Sequence, residues 1–207
     1  RDGNAFVPVM AHGIQTMSMG YLVTEQTPVV WRGPKASGAL PQMMQQTPWH
    51  DLDYLIVDLP PGTGDIQLTL AQKIPVAGAV VVTTPQDIAL LDAVKGVEMF
   101  RKVDIGVLGI VENMSTFLCP HCGERSDIFG HGGAKDEATR LGVPFLGEVP
   151  LTMAVRETSD TGKPVVATDP DSPVAAAYRQ IAAAAWAELE RAASGADRQA
   201  PKIVMEN

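Results

Sequence analysis

Residues 53–65 read DYLIVDLPPGTGD, a stretch that joins an apolar run to a turn rich in proline and glycine. The run Tyr54–Val57 is continuous, as expected for a parallel strand that is covered on both faces. Asp58 follows the run directly, and Asp65 is placed to cap a following helix. The stretch therefore predicts one strand–turn–helix unit of a parallel α/β sheet.

Three more short apolar runs predict buried strands, and a longer, more polar run predicts a fifth strand near the start of the chain. They are Ala79–Val82, Val107–Val111, Pro144–Gly147 and, for the polar candidate, Ile14–Val23. Polar or turn-forming residues follow each buried run. Because ligands bind at the carboxyl ends of the strands in open parallel sheets, this edge is the place to look for a site.

Apolar residues at helical spacing lie between the runs. Helices are predicted after Asp65, after Asp87, over residues 134–141 with Gly142 as the terminating residue, and from Ser172, an N-cap followed by Pro173. Alternating strands and helices indicate a parallel sheet flanked by helices, with right-handed crossovers. We expect one domain over residues 1–195, with a metal-binding loop at about 114–132, and a flexible tail over 196–207.

Composition excludes several classes of function. The 207 residues carry a net charge of −8 and a pI of about 4.9, so the basic footprint of a nucleic-acid-binding protein is missing. No apolar run approaches the roughly 20 residues that cross a bilayer. The two cysteines are too few for a disulfide framework. We therefore expect a soluble cytoplasmic protein with no nucleic-acid or membrane partner.

Asp58 and the turn after it suggest a nucleotide site. A carboxylate at the end of a buried strand is the Walker-B arrangement, which holds Mg²⁺ directly or through water. Gly62 and Gly64 allow backbone N–H groups to approach a phosphate closely. A bare aspartate at a strand end more often only caps a helix, but the whole string DLPPGTGD favours a nucleotide switch.

The matching phosphate loop, G-x-x-x-x-G-K-[ST], does not occur in these 207 residues. Gly162-Lys163 is followed by Pro164 and does not fit. We therefore expect the sequence to begin part-way through a nucleotide-binding domain that lacks its N-terminal βα unit, and to be inactive as an ATPase by itself.

Cys119-Pro120-His121-Cys122-Gly123 predicts a metal or iron–sulfur site, because two thiolates two residues apart can hold one ion or one cluster edge. Structural Zn²⁺ and [4Fe–4S] clusters both take four ligands. His121 and His131 offer one completion within the chain, and a two-fold dimer donating two thiolates from each subunit offers a more economical one. A redox pair and inert thiols are the remaining alternatives.

Taken together, these residues resemble the Mrp/ApbC family of iron–sulfur cluster carriers, in the MinD-like (SIMIBI) branch of P-loop ATPases. The resemblance covers roughly residues 11–170. The matching stretches are Ala11-His12-Gly13, Met19-Gly20-Tyr21-Leu22, Arg32-Gly33-Pro34, residues 53–65, Val111-Glu112-Asn113-Met114-Ser115, Cys119-Pro120-His121-Cys122-Gly123 and Phe129-Gly130-His131-Gly132-Gly133.

The resemblance implies a homodimeric ATPase that binds a [4Fe–4S] cluster between its CxxC loops and transfers it to apo iron–sulfur proteins. Cys119 and Cys122 match the cluster ligands. Asp58 matches the Mg²⁺-site carboxylate of an ATP site, and Gly62 matches the switch residue near the γ-phosphate.

The positions that border adenine in this class correspond to Asn113, Pro150 and Leu151; from the residues alone, Asn113 is equally a strand-end cap. A zinc-bridged dimeric binding module without enzyme activity is the alternative function. A positioning ATPase is disfavoured, because it has no use for a CxxC pair.

Overall fold

A computed structural model of the chain describes residues 6–22, 33–59, 67 and 74–195, with the side chains of residues 22, 33–37, 40 and 195 left out. The chain divides into two compact units, Arg1–Val76 and Ala77–Asn207. Among the residues described, no helix has both the length and the apolar character needed to span a bilayer.

The first unit contains a two-stranded antiparallel ribbon, β1 (Val9–Ala11) and β2 (Ile14–Thr16), in which Ala11 pairs with Ile14. A 3₁₀ turn at Met19–Leu22 and helix α1 (Gly33–Gln46) follow. The predicted strand Ile14–Val23 was therefore too long and was assigned to the wrong sheet. It pairs locally across a two-residue turn and ends at Thr16, and Val23 lies outside the described residues.

The prediction of a buried strand at Tyr54–Val57 was wrong for this structure. Residues 51–59 contain no strand, and Tyr54 and Ile56 are 62% and 92% exposed. A strand needs neighbours that accept and donate its backbone hydrogen bonds and cover its side chains, and none of the described strands pairs with this run. The predicted helix after Asp65 lies mostly outside the described residues.

The second unit is built on a four-stranded sheet. Its strands are β3 (Ala79–Thr83), β4 (Val107–Leu118), β5 (Arg125–Ser126) and β6 (Phe145–Leu151). β4 is central: it pairs in parallel with β3 on one side and with β6 on the other, and its end pairs antiparallel with β5. The predicted parallel sheet is confirmed here.

Five helices lie within the described residues of this unit. They are α2 (Asp87–Lys102), α3 (Gly133–Leu141), α4 (Met153–Asp160), α5 (Val165–Thr168) and α6 (Pro173–Gly195). Two of the predicted caps are confirmed: Ser172 Oγ accepts a hydrogen bond from the N–H of Ala175 at 3.2 Å, and Gly142 ends α3 at φ 65°. The third, Asp65, lies outside the described residues. α1, α4 and α5 were not predicted.

At β4 both faces of the sheet are covered, since successive residues of this strand point to opposite sides. The run Ala79–Val82 was expected to be buried, but Val80 and Val82 are 41% and 61% exposed, so one face of β3 is open among the described residues. Ile110 packs with α2 and α3 in a core that also contains Val81, Leu90, Ala93, Val97, Ala134 and Ala138. Val111 faces the other way and packs with Leu146 and Val149 under Tyr178 and Ile181 of α6. The unit therefore has three layers, helix, sheet and helix.

Two strands run further than predicted. Val107–Val111 was expected to end at a loop beginning with Glu112, but β4 continues to Leu118, and β6 continues to Leu151 instead of ending at Gly147. Both strands extend through their polar residues because they pair with each other as far as Phe117 and Leu151. The register shifts between Asn113 and Phe117, where Met114 adopts φ 55°, so β4 bulges without ending.

Candidate metal centre and nucleotide-binding edge

The two cysteines lie at the tip of a hairpin formed by β4 and β5. Phe117 and Leu118 pair with Ser126 and Arg125, and the turn between them holds the CPHC sequence. The N–H of Cys119 donates to the carbonyl of Glu124 at 2.9 Å, and the N–H of Gly123 donates to the carbonyl of Cys119 at 2.8 Å. Gly123 has φ 71°, a conformation that glycine adopts without the steric cost of a Cβ.

The turn stabilises the thiolate form of Cys119. The backbone N–H of Cys122, the backbone N–H of His121 and the side chain of Cys122 all hydrogen-bond to its sulfur, in that order of effect, and lower the pKa of the Cys119 thiol. Cys122 is exposed and Cys119 is partly exposed. A pair of accessible thiols, one of them favoured as thiolate, is suited to bind a metal.

The hairpin distinguishes between the alternatives for the two cysteines, which include a redox pair and a four-ligand metal site within the chain. A thioredoxin-like redox pair opens a helix, whereas Cys119 opens a turn that leads into β5. Among the described residues, which include both cysteines and both nearby histidines, the only group of three or more ligating side chains within 4.8 Å of one another is Glu112, His131 and Glu148. Neither His121 nor His131 thus joins the thiols in a four-ligand site within the chain.

Asn113, Pro150 and Leu151 lie on neighbouring strands at one edge of the sheet. Asn113 is the register partner of Val149 on β6, directly before Pro150. Asn113 Oδ1 accepts a hydrogen bond from the N–H of Met114 at 3.0 Å, so its side chain supports the bulge of β4. The three residues come together as expected for a shared site, and their contact with a nucleotide base stays a prediction.

The other residues predicted to form a nucleotide site belong to the first unit. Asp58 is exposed and lies in a segment without regular secondary structure. Gly62 and Gly64 lie outside the described residues. The roles predicted for these three residues therefore remain predictions.

Sequence reasoning missed the role of Glu112. Its side chain is fully buried, and its two carboxylate oxygens accept hydrogen bonds from the N–H of Gly132 at 3.0 Å and of Ala134 at 2.8 Å. It thereby supplies the acceptors that the first turn of α3 requires. An acidic residue inside an otherwise apolar strand was the available signal, but it was interpreted as the start of a loop.

The three-layer fold and the CxxC hairpin define the class: an α/β domain of the P-loop NTPase type with a paired-thiol loop on a central strand. The chain belongs to the NUBPL iron-transfer P-loop NTPase family of the ParA group, whose family model matches residues 1–186. The family expectation from the sequence is thus confirmed.

Curated relatives agree with this assignment. An iron–sulfur cluster carrier protein of Pseudomonas fragi is 59% identical over 182 residues, covering 88% of this chain and 63% of its own length. The iron–sulfur cluster carrier protein of Escherichia coli K12 is 57% identical, covering 91% and 51%. The iron–sulfur cluster transfer protein NUBPL of Dictyostelium discoideum is 52% identical, covering 90% and 58%. The chain therefore spans between half and two thirds of the length of these relatives.

Solved structures show the same fold. A nucleotide-binding protein from Archaeoglobus fulgidus, in complex with ADP and with cobalt found in it, matches with a TM-score of 0.65 and 36% identity, over 79% of this chain and 63% of that one. The cell division ATPase MinD of Pyrococcus furiosus matches with a TM-score of 0.53 and 24% identity, over 76% and 57%. This second likeness concerns the fold alone.

Proposed function

We propose that this chain carries a [4Fe–4S] cluster as cargo, held between two copies by Cys119 and Cys122 of each. The observation that carries the proposal is the hairpin tip, which presents two accessible thiols and brings no third ligand to them from the described residues. A [4Fe–4S] cluster takes four thiolates. Two copies related by a two-fold axis supply that number.

The exposure of the tip also suits transfer. Cys122 is exposed, so the thiolates of an apo iron–sulfur protein can approach the cluster and replace the carrier's thiolates one at a time. Each exchange breaks one iron–thiolate bond and forms another, without a change of oxidation state. The proposal places this transfer in the cytoplasm, where thiols are kept reduced.

ATP and Mg²⁺ are the second part of the proposal. Asp58 would hold Mg²⁺, Gly62 and Gly64 would approach the phosphates, and Asn113, Pro150 and Leu151 would border the adenine. Support comes from β4, which carries Asn113 and leads directly into Cys119. Because the two residues are six positions apart, they lie within about 20 Å of each other along one strand. A movement of Asn113 on nucleotide binding would therefore be transmitted to Cys119 through the backbone of one strand.

Anaerobic reconstitution with iron and sulfide tests the cargo. The expected result is a brown protein that holds one [4Fe–4S] cluster for two chains and runs as a dimer. Replacing Cys119 and Cys122 by serine should remove the chromophore and the dimer together. His121→Ala is the matched control, because it changes the same turn and leaves both thiols in place.

Two results would overturn this assignment. A colourless protein that holds about one Zn²⁺ per dimer through the same cysteines would identify the zinc-bridged binding module instead. A cluster that persists in the double serine variant would place the cargo elsewhere.

The nucleotide part is tested by linkage between nucleotide binding and cluster binding. If nucleotide changes the affinity for the cluster, the cluster must change the affinity for nucleotide by the same factor. ATP affinity is therefore measured for the apo and the cluster-loaded forms. Equal affinities would disprove the coupling and leave the cluster assignment standing.

A further inference from the structure

A second group of metal-ligating side chains lies away from the cysteine hairpin. Glu112 on β4 and Glu148 on β6 are register partners on adjacent strands, and His131 precedes α3. His131 Nδ1 lies 3.8 Å from Glu112 Oε1 and 3.9 Å from Glu148 Oε2. All three ligand atoms lie within 4.8 Å of one another. Two paired strands and the loop before α3 thus bring three ligand atoms close together.

The spacing of these atoms fits a shared ion better than mutual hydrogen bonds. Separations of 3.8 and 3.9 Å are too long for a hydrogen bond, and the His131 side chain makes no hydrogen bond to the rest of the described structure. Two ligands at about 2.1 Å from one ion are separated by about 3.0 Å at a bond angle of 90° and by about 3.4 Å at the tetrahedral angle. Both distances from His131 are about half an ångström longer, so small side-chain rotations would bring the three groups onto one ion.

Charge and burial favour a cation at this point. Glu112 is fully buried, and within the described part of the chain neither carboxylate has a lysine or arginine within ion-pair distance. His131 and Glu148 are 34% and 35% exposed at their side chains, so an ion can reach the group from solvent. Two carboxylates against one imidazole leave negative charge that a divalent ion would neutralise.

The hydrogen bonds of Glu112 are compatible with coordination. Each carboxylate oxygen has two lone pairs, and the N–H groups of Gly132 and Ala134 use one on each oxygen. A second lone pair on Oε1 remains available, and His131 Nδ1 lies 3.8 Å from this oxygen. The same N–H bonds hold the carboxylate in a fixed orientation, as supporting contacts do around protein metal ions.

We propose that Glu112, His131 and Glu148 bind one divalent transition-metal ion, separately from the Cys119–Cys122 pair. One imidazole nitrogen and two carboxylate oxygens suit Zn²⁺, Fe²⁺, Mn²⁺ or Co²⁺, with water completing the shell. Mg²⁺ and Ca²⁺ are disfavoured because they prefer oxygen ligands alone. The site does not depend on the function proposed for the cysteines.

The test uses the 207-residue chain with Cys119→Ser and Cys122→Ser, so that the thiols cannot contribute. We expect Co²⁺ to bind one per chain by calorimetry, with a ligand-field spectrum and no thiolate charge-transfer band. His131→Ala and Glu148→Gln should each weaken binding by at least about tenfold, the lower end of what even supporting residues of metal sites contribute. Glu112 is left unchanged because it also caps α3.

Matched controls separate this site from general surface binding. Glu124→Gln and His121→Ala remove an exposed carboxyl and an exposed imidazole outside the group and should leave Co²⁺ affinity unchanged. Zn²⁺ should raise the melting temperature of the double serine protein, and at the same concentration it should raise that of His131→Ala or Glu148→Gln by less. Absence of saturable binding, or binding that His131→Ala and Glu148→Gln leave intact, overturns the proposal.

Discussion

The carboxylate of Glu112 accepts a hydrogen bond of 2.8 Å from the backbone N–H of Ala134, which lies 22 residues further along the chain. The bond ties the middle of β4 to the first turn of α3. The segment that it closes contains the hairpin with both cysteines. The thiols are thus carried on a loop that is anchored to the core at both ends.

Replacing Glu112 by alanine should lower the free energy of unfolding by about 3 kcal/mol. The substitution removes a buried acceptor from the N–H groups of Gly132 and Ala134, and hydrogen bonds to a charged group contribute about 1.5–3 kcal/mol each, without simple additivity. Urea unfolding followed by circular dichroism measures the change. Glu124→Ala, at an exposed position of the cysteine turn, should change stability by less than about 0.5 kcal/mol, and an equal effect of the two variants would contradict the anchoring role.

Cys119 should react with iodoacetamide at lower pH than an ordinary cysteine. Its pKa is lowered by the N–H groups of Cys122 and His121, so the reactive thiolate is already formed below the pH at which an unperturbed thiol, with a pKa of about 8.5, ionises. The rate is measured against pH in Cys122→Ser, which leaves both backbone donors in place.

In urea the turn is lost, and the alkylation profile of Cys119 should move to higher pH, towards that of a free thiol. The same midpoint in the native and the unfolded protein would show that the turn does not favour the thiolate.

Gly109 on β4 should not tolerate alanine. A Cβ at this position would lie 2.6 Å from the carbonyl oxygen of Pro144 and from Leu146 Cγ, and the backbone carbonyl cannot move without disturbing the pairing of β4 with β6. Overpacking of this kind costs about 1–3 kcal/mol. Differential scanning calorimetry should therefore detect a lower melting temperature for Gly109→Ala.

Gly96, within α2, is the matched control. A Cβ there meets no atom within 4 Å, so Gly96→Ala should stabilise the protein by up to about 1 kcal/mol through the higher helix propensity of alanine. If both variants were destabilised to the same extent, the close approach of β4 and β6 would not explain the lower melting temperature of Gly109→Ala.

Ser172→Ala should destabilise α6 by about 1 kcal/mol, because Ser172 Oγ accepts the N–H of Ala175 at the start of the helix. Thermal unfolding followed by circular dichroism measures the loss. Ser194→Ala is the control, since Ser194 lies in the last turn of α6 and its hydroxyl donates a hydrogen bond to the carbonyl of Arg191. A Ser172→Ala protein as stable as Ser194→Ala would rule out the cap.

The sequence correctly predicted several helices, strands and caps that are marked by residues close together along the chain. Ala79–Val82 lies in a strand because it pairs in parallel with β4, although Val80 and Val82 are exposed, and Ser172 caps α6 through a contact three residues away. Tyr54–Val57 carries an equally strong run and forms no strand here. An apolar run specifies a tendency to be buried, and pairing depends on a neighbouring strand that the run itself does not contain.

The cysteine pair was found from its spacing, while the Glu112–His131–Glu148 group was not. Cys119 and Cys122 are two residues apart, so one turn brings them together. Glu112, His131 and Glu148 are separated by 19 and 17 residues and meet only because β4 and β6 pair in register and α3 starts beside them. No local pattern marks residues that are brought together in this way.

The sequence by itself determined the class of fold, the paired thiols and the family, since each depends on periodicity or on residues adjacent along the chain. The tertiary structure alone decided that the thiols lie at a hairpin tip to which the described residues bring no third ligand, and that Glu112 is buried under the start of α3. The physical reason is the range of the interactions. Local spacing fixes which residues share a turn, whereas strand register and helix packing fix which distant residues share a point in space.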